Sequence, residues 1–145
     1  MERTDKFFKT NNLLELVNDS PQMLGQMIIE GDFFEKISLT EYLQELLMKH
    51  ELTMMEVVRV SLLSKSYVYQ IFNGERMPSR DVLLRIGLSM SCTIDEIQHL
   101  LILAQTGNLY PKVKRDAAIL CCISQGFTLT ETNDFLEYIE ERTLL

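Results

Sequence analysis

Between Ser64 and Asn73 the chain carries Lys65, Ser66, Tyr69, Gln70 and Asn73. On a helix this spacing puts their ammonium, hydroxyl and amide groups along one side, because residues three and four apart are neighbours. Val68, Ile71 and Phe72 fall together on the other side, as a core-facing stripe does. A face of this kind recognises a partner through hydrogen bonds; it does not make or break covalent bonds. Bond-making constellations are missing elsewhere in the sequence too. His50 and His99 have no cysteine or paired carboxylate at metal or triad spacing, and His50 reads as easing carbonyls at a helix end. Cys92, Cys121 and Cys122 form no C-x-x-C or Cys/His cluster. Adjacent thiols on a helix point about 100° apart, so Cys121 and Cys122 are poorly placed for a mutual disulfide. The expectation is therefore no enzyme, with no catalytic residues, no metal and no cofactor.

The elements that position this face are legible from their ends. Thr53 with Glu56 is a capping box opening a helix whose Met54, Val57, Val58 and Ser61 share a side. Ser64 caps the next helix, and Asn73-Gly74 ends it, since a helix C′ position favours Gly or Asn. Upstream, Ser38 and Glu41 form a second capping box before Leu39, Tyr42, Leu43, Leu46 and Leu47, which recur with helical period. Downstream, Pro78 and Ser79 precede a helix with Leu83, Leu84, Ile86 and Gly87 on its buried side. Thr93 and Glu96 open a fifth, leucine-rich helix that Gly107 is expected to end. From Tyr110-Pro111 to Gly126, and again from Thr128 with Glu131 onward, two further helices form a hairpin. In it Ala117, Ala118, Leu120, Cys121 and Ile123 are expected to face Leu129, Phe135, Leu136 and Ile139. Four capping boxes and no alternating pattern predict an all-α chain without strands.

At these residues the sequence resembles the Cro/C1-type helix-turn-helix of the XRE family of bacterial transcriptional regulators. The pattern runs from about Ser38 to Ile94, a little under half the chain. The resemblance implies a lambda-repressor-like five-helix DNA-binding domain, with the helix Ser64 to Asn73 lying in the major groove. It implies base contacts from Lys65, Ser66, Tyr69 and Gln70, and phosphate contacts from Thr53, Ser64, Asn73 and Arg76. Some positions depart from the pattern. Met54 stands where relatives carry a Gln, Val58 where they carry a small Ala, and Leu62 where they carry the turn Gly. An Arg and Glu pair common in relatives corresponds to Leu47 and Phe72, an ion pair exchanged for apolar packing. The motifs Arg115-Asp116-Ala117-x-Ile119 and Glu131-Thr132-Asn133 resemble those in tails of some repressor-like proteins of low-GC Gram-positive bacteria.

Three parts follow: an acidic N-terminal helical extension over 1–37, the repressor-like domain over 38–106, and a C-terminal helical hairpin over 107–145. Net charge is −7, which opposes nucleic-acid binding on its face, but the three stretches 1–37, 38–90 and 91–145 carry −3, 0 and −4. The acid lies in the flanks, whereas Lys65, Arg76 and Arg80 oppose Glu75 alone near the recognition face. Phe7, Phe8, Phe33 and Phe34 are many aromatics for a tail, so the extension is expected to pack on something. With no apolar run of membrane-spanning length, no signal-peptide pattern and an odd cysteine count, a cytoplasmic protein is expected. The function expected is a homodimeric, sequence-specific regulator bound to double-stranded DNA, with a protein partner conceivable through the N-terminal segment or the hairpin. The alternative is a protein-interaction adaptor that retains the fold without DNA.

Overall fold

The computed structural model describes residues 10–31 and 37–145. They belong to two compact units that divide between residues 36 and 37. Among the described residues there is no strand, and no helix long and apolar enough to cross a membrane. Phe7, Phe8, Phe33 and Phe34 lie outside the described residues.

The first unit is two short helices, α1 (Thr10–Asp19) and α2 (Pro21–Glu30), packed on each other. Pro21 opens α2 at a position where its missing N–H costs nothing, and Gly31 closes it at φ 75°. No residue of α2 is buried, and Leu14, Val17, Met23, Ile28 and Ile29 are all exposed.

The second unit contains α3 (Leu39–Lys49), α4 (Met54–Ser61), α5 (Lys65–Phe72), α6 (Arg80–Ser89), α7 (Ile94–Leu103), α8 (Lys114–Ser124) and α9 (Leu129–Tyr138). The starts of α4, α7 and α9 are complete capping boxes at Thr53, Thr93 and Thr128. Ser64 and Ser79 cap α5 and α6 by accepting from the N–H groups of Tyr67 and Val82. Ser38 caps α3 by accepting from the Glu41 N–H, but its hydroxyl takes up the Glu41 carboxylate, so only half the expected box forms.

Helix ends follow another rule. At α3, α5, α6, α7, α8 and α9 one residue past the cap turns left-handed: Glu51, Gly74, Ser91, Gln105, Gly126 and Glu140. The next N–H then returns to a carbonyl five residues back, as from Glu75 to Gln70 at 2.8 Å and from Cys92 to Gly87 at 3.0 Å. Two expectations are corrected here. The fifth helix of the repressor-like pattern, α7, stops at Leu103 with Gln105 left-handed, because the chain needs that conformation before Gly107 arrives. The last helix stops at Tyr138 with Glu140 left-handed, and the chain beyond it is not helical.

The core runs through all seven helices, with α3 on α5 and α7, α4 on α5 and α6, and α6 on α7. Leu43, Phe72, Leu83, Leu84, Leu100 and Leu101 are fully enclosed. Leu47 and Phe72, read as a replaced ion pair, are both buried. At Gly87 a Cβ would stand 2.9 Å from Ile97 Cγ1, so the α6–α7 approach admits no side chain there.

The α8–α9 hairpin shares this core, α8 meeting α7 and α9 meeting α6. Ala118, Ile119, Cys122 and Ile123 are buried on α8, as are Leu129 and Leu136 on α9, whereas Cys121 is exposed; that corrects its expected inward placement by one helical step. Two Arg-Asp dipeptides interlock to hold the hairpin on α6. Arg80 forks onto Asp116 at 3.0 and 2.8 Å, and Arg115 forks onto Asp81 at 3.0 Å twice. Arg115 also donates to the carbonyls of Arg142 and Thr143, while the Leu144 N–H donates to Asn133 Oδ1 at 2.7 Å. This pins the final segment and buries Leu144.

Candidate functional site

The face around α5 is built from the turn that precedes it. After α4 the chain reverses at Leu62, which takes φ 60° and ψ 23° without the help of a glycine. Arg85, reaching from α6, donates its Nε and Nη2 to the Ser61 carbonyl and Nη2 also to the Leu62 carbonyl, at 3.0–3.1 Å. A cation on the last carbonyls of α4 complements that helix end, and it fixes the angle at which α5 leaves. Arg85 is half-buried, and burial lowers its affinity for the proton somewhat. At the far end of α5, Gln44 Nε2 donates to the Phe72 carbonyl at 3.3 Å.

Held in this way, α5 buries Val68, Ile71 and Phe72 and turns its polar side outward. Lys65, Ser66, Asn73 and Arg76 are exposed, and Tyr69 and Gln70 are half-exposed. The Lys65 ammonium lies 5.7 Å from the centre of the Tyr69 ring, and the Arg76 guanidinium 5.3 Å from that of Tyr67. Both distances suit a cation–π contact, which restrains the two charges beside the helix. Arg76 Nη1 also donates to Gln70 Oε1 at 3.4 Å, which occupies the acceptor end of that amide.

The two helix N-termini differ. Ser64 caps α5, and no acidic residue occupies that first turn. At α4 the Thr53 N–H donates to Glu56 Oε2 at 2.9 Å, which puts a carboxylate at the helix start where an anion would approach. Arg80, counted in sequence among the basic residues of this region, is spent elsewhere: it holds Asp116 and the carbonyls of Gly107 and Asn108. The cations left on the face are Lys65 and Arg76.

Compared with protein families, with curated proteins and with solved structures, the chain matches none.

A second cluster was not legible in the sequence. His50, at the C-cap of α3, brings Nε2 to 2.9 Å from Glu96 Oε1. Cys92, in the turn before α7, joins them, and the three donor atoms lie within 4.8 Å of one another. Burial raises the Glu96 carboxyl, but the Lys49 ammonium, the Thr93 N–H and His50 outweigh it and hold the group at about 2. Burial, with Glu96 nearby, pushes the Cys92 thiol up to about 12. Local spacing shows no such group; in space the fold closes α3 onto α7 and brings His50 beside Cys92 and Glu96. The sequence signals that touched this cluster were the Thr93–Glu96 capping box and His50 at a helix end, and neither pointed to the other.

Proposed function

We propose that the protein is a sequence-specific DNA-binding transcriptional regulator with a lambda-repressor-like arrangement in α3 to α7, acting in the cytoplasm as a homodimer. The observation that carries the reading is the outward face of α5. It offers an ammonium, a hydroxyl and an amide in succession; buried apolar residues back the helix, and Arg85 holds the turn that leads into it. A helix so presented fits the major groove, where base edges offer acceptors and donors to such groups. Lys65, Ser66, Tyr69 and Gln70 read bases. Ser64, Asn73 and Arg76 hold phosphate, with the first N–H groups of α5 assisting. Thr53 contributes through its hydroxyl, since its N–H is engaged by Glu56.

The test begins with recovery of the genomic fragments the protein binds. Gln70→Ala and Lys65→Ala should each relax the preference at one position of the recovered site, at a cost of about 1–3 kcal/mol. Arg76→Ala should weaken every sequence alike and flatten the salt slope by about one. Unchanged preference in both of the first two variants would remove α5 as the reading element.

A second reading has its own observation. With Arg80 bound to Asp116 and a carboxylate at the start of α4, two cations remain on the face of a chain carrying −7 overall. An interaction adaptor that keeps the fold accommodates this balance. It predicts no mobility shift of any duplex at low salt.

A further inference from the structure

The cluster at the joint of α3 and α7 has donor chemistry that the proposed DNA reading does not use. Among the described residues, His50, Cys92 and Glu96 are the group whose imidazole, thiol and carboxylate converge within 4.8 Å. They come from three places: the end of α3, the turn after α6, and the first turn of α7. Glu96 is 5% exposed, and its two oxygens differ. Oε1 accepts from the Thr93 N–H and faces His50. Oε2 is buried without a hydrogen bond, and its neighbour is the Lys49 ammonium at 2.7 Å, an ion pair not aligned as one. Lys49 itself is two-thirds exposed, so it reaches in from solvent and is free to leave.

We infer that His50, Cys92 and Glu96 form a site for a zinc ion, which displaces the Lys49 ammonium from Glu96 Oε2. Thiolate, imidazole and carboxylate together are a donor set for a borderline metal, and they disfavour Mg²⁺ and Ca²⁺, which take oxygen ligands. Tetrahedral Zn²⁺ with sulfur at about 2.3 Å and nitrogen and oxygen at about 2.0–2.2 Å spaces its ligands about 3–4 Å apart. The present separations, within 4.8 Å, lie close to that spacing. On binding, the Zn–S bond forms as the S–H bond breaks, the proton passing to solvent. His50 Nε2, which donates its N–H to the ionised Glu96, gives up that proton, to its own Nδ1 by way of water or to solvent, and the lone pair so freed binds the metal. Two anionic ligands then balance the dication, and Oε1 keeps its cap on the Thr93 N–H. The fourth position opens where Lys49 now enters and takes a water. This site would tie the end of α3 to the start of α7, and it stands or falls independently of DNA binding.

The test is titration of the full-length chain with Co²⁺ under a thiol-free reductant. Co²⁺ bound through a thiolate shows near-ultraviolet charge transfer and, when tetrahedral, strong visible bands. Both should appear at one equivalent, be lost on adding Zn²⁺, and persist in Cys121→Ala. Cys92→Ser should abolish the charge transfer. His50→Ala and Glu96→Gln should weaken Co²⁺ by about tenfold or more. Lys49→Ala should tighten it by about threefold or more, because a competing cation is gone. Should Cys92→Ser fail to fold, the Lys49 and His50 variants decide. Either no charge transfer in the unaltered chain, or a band that survives Cys92→Ser or leaves with Cys121→Ala, overturns the site. So does Co²⁺ affinity indifferent to both His50 and Lys49.

Discussion

Leu62 is where a single side chain most visibly strains against its backbone. A non-glycine residue at φ 60° carries a penalty of about 1 kcal/mol from its Cβ, and at 60% exposure Leu62 recovers little of this by burial. Leu62→Gly is therefore expected to raise stability by about 0.5–1 kcal/mol, measured by urea unfolding with an unchanged slope. Lower stability would show that the leucine side chain contributes more than its exposure suggests. In the sequence this position stood out only through the resemblance, as the place of the customary turn Gly. The sequence did not identify Arg85, whose three hydrogen bonds support the turn from another helix, because no local pattern connects residues 24 apart. That His50 meets Glu96, 46 residues further on, was illegible for the same reason.

Among the helices, starts were more legible than ends. A side-chain cap is a local event between a residue and its third neighbour, so Thr53, Ser64, Thr93 and Thr128 marked their helices correctly. The ends rely on a left-handed residue that sequence reveals only when it is glycine. Gly74 and Gly126 were readable; Glu51, Ser91, Gln105 and Glu140 were not. Packing between helices gives a sharper test than either. Gly87 lets α6 approach α7 so closely that an added methyl would meet Ile97 at 2.9 Å. Gly87→Ala should destabilise by about 1–3 kcal/mol despite alanine's better helix propensity. Calorimetric unfolding checks it, and equal or greater stability would mean that the two helices part without penalty.

Across the whole second unit, the hairpin belongs to the same hydrophobic core as the helices before it. The Arg115-Asp116 and Asn133 positions of the tail motifs prove to be its fasteners, a role with no local signature in the chain. Burial raises the Asp116 carboxyl, but Arg80, the Tyr110 N–H and Arg115 together hold it below its ordinary 3.8. A depressed folded value means that this stabilisation is complete above the ordinary value and is lost as pH falls below 3.8 toward the folded one. Asp116→Asn should cost about 2–4 kcal/mol at neutral pH by stranding Arg80, and the loss relative to the unaltered chain should narrow as the pH drops through that window. A gap that stays constant under acid would exclude this carboxylate as the source.

The claim about function comes down to whether α5 discriminates sequence. Fluorescence anisotropy should compare a labelled duplex carrying the recovered binding sequence with a scrambled duplex of the same composition, at near-physiological salt. The regulator reading predicts binding tighter for the recovered sequence by about a thousandfold, a difference that Gln70→Ala sharply reduces. Equal affinity for the two duplexes, or no binding to either, would contradict it.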